Sequence, residues 1–249
     1  ATLPYVGNKV SLTGEQNQEL IYNTLLQVES MAVDKASTSN TVTIDQDISA
    51  ILRVDNSLEV FKGRFITNGL LDAGDDVTGE RAVVTINWDG DGLGILDAGN
   101  SARAYISDAT TDTPGKVRYT GNVGIFTADE IPGPRAGSEA GNEIILQEVE
   151  VAMETNSPVI TLGKSFSISN ELRLTRGNID VGSANVTLFN GVQIAMGDGE
   201  IRRSGTPPFF GNLIFPTEDT PSAGTLGGGF SVSNDGVDLL YFGTMDRIV

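Results

Sequence analysis

The chain has 249 residues, of which 33 are Asp or Glu and 16 are Lys or Arg, giving a formal net charge of −17. Such an acidic surface repels nucleic acid and argues against it as a partner. Neither cysteine nor histidine occurs, which excludes a disulfide framework, a thiolate nucleophile, His-based catalytic triads and the common zinc sites.

The N-terminal 30 residues fit two secondary structures. One face of a helix would collect Leu20, Ile21, Leu25 and Val28, whereas an extended chain would alternate Leu20, Tyr22, Leu26 and Val28. We favour strand, because the chain that follows is strand-like. The opening ATLPYVGNKV lacks a basic and then apolar leader, and no run of 18 apolar residues occurs. We therefore expect a processed chain or an excerpt of a longer protein, without membrane insertion.

From Met31 the chain has a two-residue rhythm that predicts short strands. Apolar pairs recur between Ser, Thr, Asn and Asp, which are turn formers; the pairs are Val42 with Ile44, Ile51 with Val54, Leu58 with Val60, and Phe65 with Leu70. We expect each pair to be one short strand. Aromatic residues make up only 6% of the chain, so small branched side chains must fill its core, as in a narrow solenoid.

A strand is predicted over Val83–Trp88, within a segment that carries acidic, glycine-rich loops. In the motif NWDGDGLGILDAG, Asn87, Asp89 and Asp91 occupy alternate positions before a glycine, as in the first half of an EF-hand calcium loop. Position twelve is Ala98 and the nearest acid is Asp97. The candidate metal ligands are therefore Asn87, Asp89, Asp91 and Asp97, with calcium as the ion; the alternative is a solvated acidic turn between strands.

Two stretches, 100–116 and 127–143, combine Pro and Gly with Ser, Thr and acids. This composition predicts loops that project from the strands. Beyond them, Leu172–Leu188 (LRLTRGNIDVGSANVTL) contains alternating apolar runs separated by Gly177 and Gly182, which predicts short strands joined by tight turns.

The second half of the chain repeats the first in the same order. SLEVFKGRFITNG (57–69) aligns with ELRLTRGNIDVG (171–182), and NKVSLTGEQNQEL (8–20) aligns with GKVRYTGNVGIF (115–126); GVDLLYFGTMDRIV (236–249) resembles both of the latter. Such recurrence is typical of stacked coils. The predicted fold is all-β, a parallel β-helix of two divergent repeat units with projecting loops. The units are 1–114 and 115–236, and 237–249 begins a third unit or is a terminal pairing strand. An antiparallel sandwich pair is the alternative.

The phrases SMAVDKASTSNTVTIDQDI, NSLEVFKGRFITNG and NELRLTRGNIDVGSANVTLFNG resemble the large repeat-rich cell-surface proteins of Bacteroidetes-type bacteria. The resemblance covers about two-thirds of the chain. It implies a β-helix, secretion through the type IX system, an extracellular or cell-surface location, and a structural, adhesive or filament-forming role.

The function favoured by these patterns is an extracellular structural or adhesive module, not an enzyme. Its partners would be further copies or neighbouring repeats of a larger chain, because solenoid ends expose unpaired strand edges. The alternative is binding or cleavage of surface glycans at the loops 72–78, 87–100 and 127–143, where a pair of carboxylates would supply the chemistry.

Overall fold

The computed structural model describes residues 5–22, 25–45, 51–67, 70–73, 82–90, 92–97, 115–127, 130–131, 145–189, 192–203, 213–214, 226–227 and 232–234. Within these ranges the protein is all-β. The strands are β1 Tyr5–Gly14, β2 Gln18–Ile21, β3 Leu25–Lys35, β4 Thr41–Asp45, β5 Ile51–Thr67, β6 Leu70–Ala73, β7 Val83–Asp89, β8 Gly92–Asp97, β9 Gly115–Gly121, β10 Ile125–Phe126, β11 Ile145–Ala152, β12 Val159–Thr161, β13 Phe166–Arg176, β14 Asn178–Asp180, β15 Val186–Leu188, β16 Gln193–Met196, β17 Ile201–Arg203, β18 Leu213–Ile214, β19 Leu226–Gly227 and β20 Val232–Asn234.

The chain divides into two compact units, one of Ala1–Arg118 with Ala128–Ile144 and one of Tyr119–Thr127 with Ile145–Val249. The boundaries inferred from the repeat, at 114 and 236, stay predictions. Residues 237–249, assigned to a third unit, lie outside the described residues.

In the first unit the chain alternates between two ladders of strands. The first ladder pairs β1 with β3, β3 with β5, and β5 with β6 and β7. The second pairs β2 with β4, β4 with the end of β5, and that end with β8. All these pairings are parallel, so the chain returns to the same ladder in the same direction after each excursion to the other.

The second unit has the same alternation. Its first ladder runs from β11 to β13, then to β15 and β16, and on to β18 and β19. Its second ladder runs from β10 through β12, β14 and β17 to β20. These pairings are also parallel. We call one passage of the chain through both ladders a rung.

Matching apolar residues of successive rungs form columns in the core. In the second unit the pairing places Ile125, Ile160, Ile179 and Ile201 in register along one ladder, and all four are buried. In the first unit Leu12, Val33, Val60 and Ile86 are aligned in the same way and are likewise buried. Like side chains stacked between neighbouring strands bury apolar surface along the ladder, which stabilises the pairing.

Glycines mark the bends where the chain leaves the first ladder. Gly14, Gly63, Gly121 and Gly177 all have φ between +93° and +106°, a region that side chains with a Cβ rarely adopt. At Gly63 an added Cβ would lie 2.6 Å from Cγ of Lys35, and at Gly177 it would meet Cγ of Met153. At Gly63 and Gly177 the bend therefore requires glycine both for its backbone angle and for the close approach of the neighbouring rung.

The all-β prediction is confirmed in the described residues, as is the preference for strand over helix at the N-terminus. The expectation of separate short strands between Ile51 and Leu70 is wrong. Ile51–Thr67 is one strand of 17 residues, because it crosses from the first ladder to the second through Gly63 without a break. The parallel β-helix itself stays a prediction.

One pairing among the described strands within the units is antiparallel. Strand β7 pairs with β8, and in this pairing Trp88 lies opposite Leu93 and Asp89 lies opposite Gly92. Two residues join these partners, which is the length of a tight β-hairpin connection. The acidic motif predicted to bind calcium is therefore the turn of a hairpin.

Candidate functional site

The turn of the acidic hairpin, residues 87–97, is stabilised by side-chain hydrogen bonds. Oδ1 of Asp89 accepts a hydrogen bond from the backbone N–H of Gly92 at 2.8 Å, and Nδ2 of Asn87 donates to Oδ2 of Asp89 at 3.3 Å. Nε1 of Trp88 donates to the carbonyl oxygen of Gly94 at 2.7 Å. An Asp that caps its own turn in this way is a common turn device.

The glycines of the same motif are explained by packing. A Cβ at Gly94 would overlap the backbone carbonyl of Val60, and one at Gly92 would meet the side chain of Lys62. Both contacts are with β5, the strand that β8 joins in the second ladder. Because a carbonyl of the backbone moves little, Gly94 is required for this approach.

The four predicted calcium ligands are only partly brought together. Asp97 forms an ion pair with Arg64, with Oδ2 2.8 Å from Nη2, whereas Asn87 and Asp89 interact at the turn. Asp91 lies outside the described residues. Among the residues that the structure does describe, no three acidic side chains form a group suited to a metal ion. The calcium site, which includes Asp91, stays a prediction.

The loops considered for glycan binding fall mostly outside the described residues. Of the loop at 72–78, Asp72 is buried and bonded to Nε of Arg53 at 2.9 Å. Of the loop at 127–143, Thr127, Glu130 and Ile131 are described, and all are buried. The carbohydrate hypothesis stays a prediction.

A charged cluster that the sequence analysis did not single out lies on β11 and β13. The pairing sets Glu148 opposite Glu171 and Glu150 opposite Arg173, and the guanidinium of Arg173 binds both carboxylate oxygens of Glu171 at 2.9 Å. This hydrogen bonding and the attraction of the charge on Glu171 raise the pKa of Arg173. The Arg173 side chain is half exposed, so the pair adds little to stability.

A buried lysine at the first bend was also missed. Lys35 is 1% exposed, and its Nζ donates to the carbonyl oxygen of Thr13 at 2.8 Å and to Oε1 of Gln18 at 3.1 Å. It thereby ties the second rung to the first. The corresponding place beside Gly177 in the second unit is taken by Met153. The alternation of apolar and polar residues does not predict that Lys35 is buried, because its burial depends on which rung lies beside Gly63.

Strand β1 is the feature best suited to binding another chain. In the described part of the protein it stands at the end of its ladder, paired on one side with β3. The outward edge of such a strand offers a row of N–H and C=O groups to an added strand. Its Lys9 reaches across to form an ion pair with Glu59, while half of the Lys9 side chain is exposed.

Within the described ranges, no helix is long and apolar enough to cross a membrane. No protein-family model matches the chain, and neither a curated protein nor a solved structure matches it significantly.

Proposed function

We propose that this protein is an extracellular structural or adhesive module, built as a parallel β-helix, that assembles end to end with further copies or within a larger surface protein or filament. As a β-helix, each unit would be a coil whose successive rungs stack through backbone hydrogen bonds. The ends of the coil would be the binding surfaces.

The observation that carries the proposal is the alternation of the chain between two parallel ladders. In the first ladder of the first unit, Leu12 pairs with Val33 and Val33 with Val60, so successive rungs lie 21 (33 − 12) and 27 (60 − 33) residues apart. Solenoid repeats have circuits of this size. Parallel pairing of consecutive rungs on both ladders is the arrangement that a coil requires.

Asparagine side chains between rungs provide further support. Asn178 is buried; its Nδ2 donates to the carbonyl oxygen of Asn156 at 2.8 Å, and its Oδ1 accepts from the N–H of Glu200 at 3.0 Å. One side chain thus bonds to residues about one circuit before it and one circuit after it. In the first unit Asn40 donates to the carbonyl of Glu15, which links two rungs in the same manner.

A structural role also suits the chemistry that the chain carries. The chain lacks histidine and cysteine. In the candidate loops Asp72 and Asp97 form ion pairs and Asp89 caps a turn. A net charge of −17 opposes non-specific association, so an assembly would depend on specific contacts at the strand edges. The cell-surface location and type IX secretion rest on the resemblance to repeat-rich surface proteins.

Electron microscopy and fibre diffraction of the purified chain test this proposal. We expect rods or filaments of uniform width, with a meridional reflection at about 4.8 Å, since strands of a coil run across its axis. Class averages distinguish a coil from a sandwich. A chain that stays monomeric across the concentration range and gives compact, sandwich-like particles would refute both the fold and the assembly.

A further inference from the structure

Strand β1, which has a partner on one side in the described part of the protein, also leaves its apolar face incompletely covered. Val10 is half-buried, whereas its partner on β3, Met31, is 0% exposed. Leu12 is buried, with 8% of its surface exposed against 0% for its partner Val33. The first rung therefore has apolar surface that another strand can cover. An occupant must supply a strand edge and side chains that fit this face.

Strands β1 and β9 share one pattern of apolar residues before a glycine. In β1, KVSLTG, Val10 and Leu12 alternate with polar residues before Gly14; in β9, KVRYTG, Val117 and Tyr119 do so before Gly121. Both glycines have positive φ, +94° and +106°, and Val117 and Tyr119 are buried. Two stretches with this spacing thus have the same face and the same bend.

Residues 237–243, VDLLYFG, have Leu239 and Tyr241 at the same spacing before Gly243. The residues between them are the apolar Leu240 and Phe242, where β1 has Ser11 and Thr13. Aligning Gly243 with Gly14 sets Tyr241 at the position of Leu12, Leu239 at that of Val10, and Asp238 at that of Lys9. The side chain of Lys9, which is half exposed and pairs with Glu59, would thus have a second acidic residue beside it.

We propose that residues 237–243 of one copy add in parallel to β1 of a second copy, with Gly243 opposite Gly14, Tyr241 opposite Leu12 and Leu239 opposite Val10. The inference rests on the proposed end-to-end assembly and names the two strands that make the joint. The joint would continue the ladder from one copy into the next, with the backbone groups of β1 paired on both sides.

Disulfide trapping tests the register, and the absence of cysteine from the native chain makes any disulfide attributable to the introduced residues. A Ser11→Cys chain is mixed, with a mild oxidant present, with a Leu240→Cys chain that carries a length tag, and the mixed dimer is measured on a non-reducing gel. Residues opposite each other in neighbouring strands lie within the span of a disulfide. We expect this pair to cross-link efficiently.

The matched control mixes Leu240→Cys with Thr13→Cys. Thr13 is exposed like Ser11, and the proposed register sets it two residues further along the strand, beyond the span of a disulfide. We expect at least a tenfold lower yield of mixed dimer. Equal yields from the two mixtures would overturn the register and with it the proposal.

Deletion of 237–243 and the substitution Tyr241→Asp provide an independent readout by sedimentation. Both are expected to weaken association at least tenfold while the circular dichroism of the chain is retained. Suppose that filaments persist after the deletion and that the Ser11→Cys and Leu240→Cys chains form no disulfide-linked dimer. End-to-end assembly would then stand, and another segment would make the joint. A wild-type chain that is monomeric throughout would reject the joint and the assembly together.

Discussion

Replacing Gly63 with alanine separates the two reasons for a glycine at the bends. Gly14 and Gly63 have nearly equal backbone angles, φ +94° and +99°, but differ in their surroundings. A Cβ at Gly14 would have no atom within 4 Å, whereas one at Gly63 would lie 2.6 Å from Cγ and 2.8 Å from Cβ of Lys35, and 3.0 Å from the carbonyl oxygen of Asn40. Gly14→Ala is thus the matched control.

The magnitudes follow from these two contributions. The left-handed backbone costs an alanine about 1–2 kcal/mol at either site. Overpacking against Lys35 adds about 1–3 kcal/mol at Gly63 alone. We therefore expect Gly63→Ala to lower the free energy of unfolding by about 2–5 kcal/mol and Gly14→Ala by about 1–2 kcal/mol.

Urea unfolding followed by tryptophan fluorescence measures both variants. The single tryptophan, Trp88, lies in the same unit as both glycines and is anchored by its hydrogen bond to Gly94. Equal destabilisation by the two substitutions would refute the steric part of the reasoning. Destabilisation by neither would show that the bend tolerates a Cβ.

Three further predictions concern the core, the bend and the hairpin. Ile160 is fully buried in the isoleucine column. In urea unfolding, Ile160→Ala should lower the free energy of unfolding by about 2–5 kcal/mol and Ile160→Val by about 0.5–1.5 kcal/mol. Similar losses for both variants would contradict stacking along the ladder. Lys35→Met keeps the buried volume but removes the hydrogen bonds to Thr13 and Gln18, so it should cost about 1 kcal/mol. Lys35→Ala also opens a cavity and should cost about 2–4 kcal/mol; equal losses would assign the role of Lys35 to its hydrogen bonds. If the acidic hairpin binds calcium, calcium should raise the thermal midpoint of the wild type and not that of Asp89→Asn; the same midpoint with calcium and with chelator would leave Asp89 as a turn cap.

The strands and their buried faces could be predicted where the chain alternates strictly. Leu58, Val60, Phe65, Leu172 and Leu174 were expected in strands and are all buried in strands. Period two is a local property of the backbone, because successive side chains point to opposite faces of a strand. The acidic motif was ambiguous for the same reason, since a calcium loop and a hairpin turn share Asp and Gly at close spacing.

The sequence by itself determined that the chain is built of strands and which apolar residues of the alternating runs face the core. Only the tertiary structure decided which strand lies beside which. Four features depend on this arrangement: the continuous β5, the antiparallel hairpin at Asp89, the lysine beneath Gly63 and the ion pair of Arg64 with Asp97. Partners in a ladder are some twenty or more residues apart. Their choice depends on how connecting segments close and how columns of side chains fit between rungs, and these are not local properties.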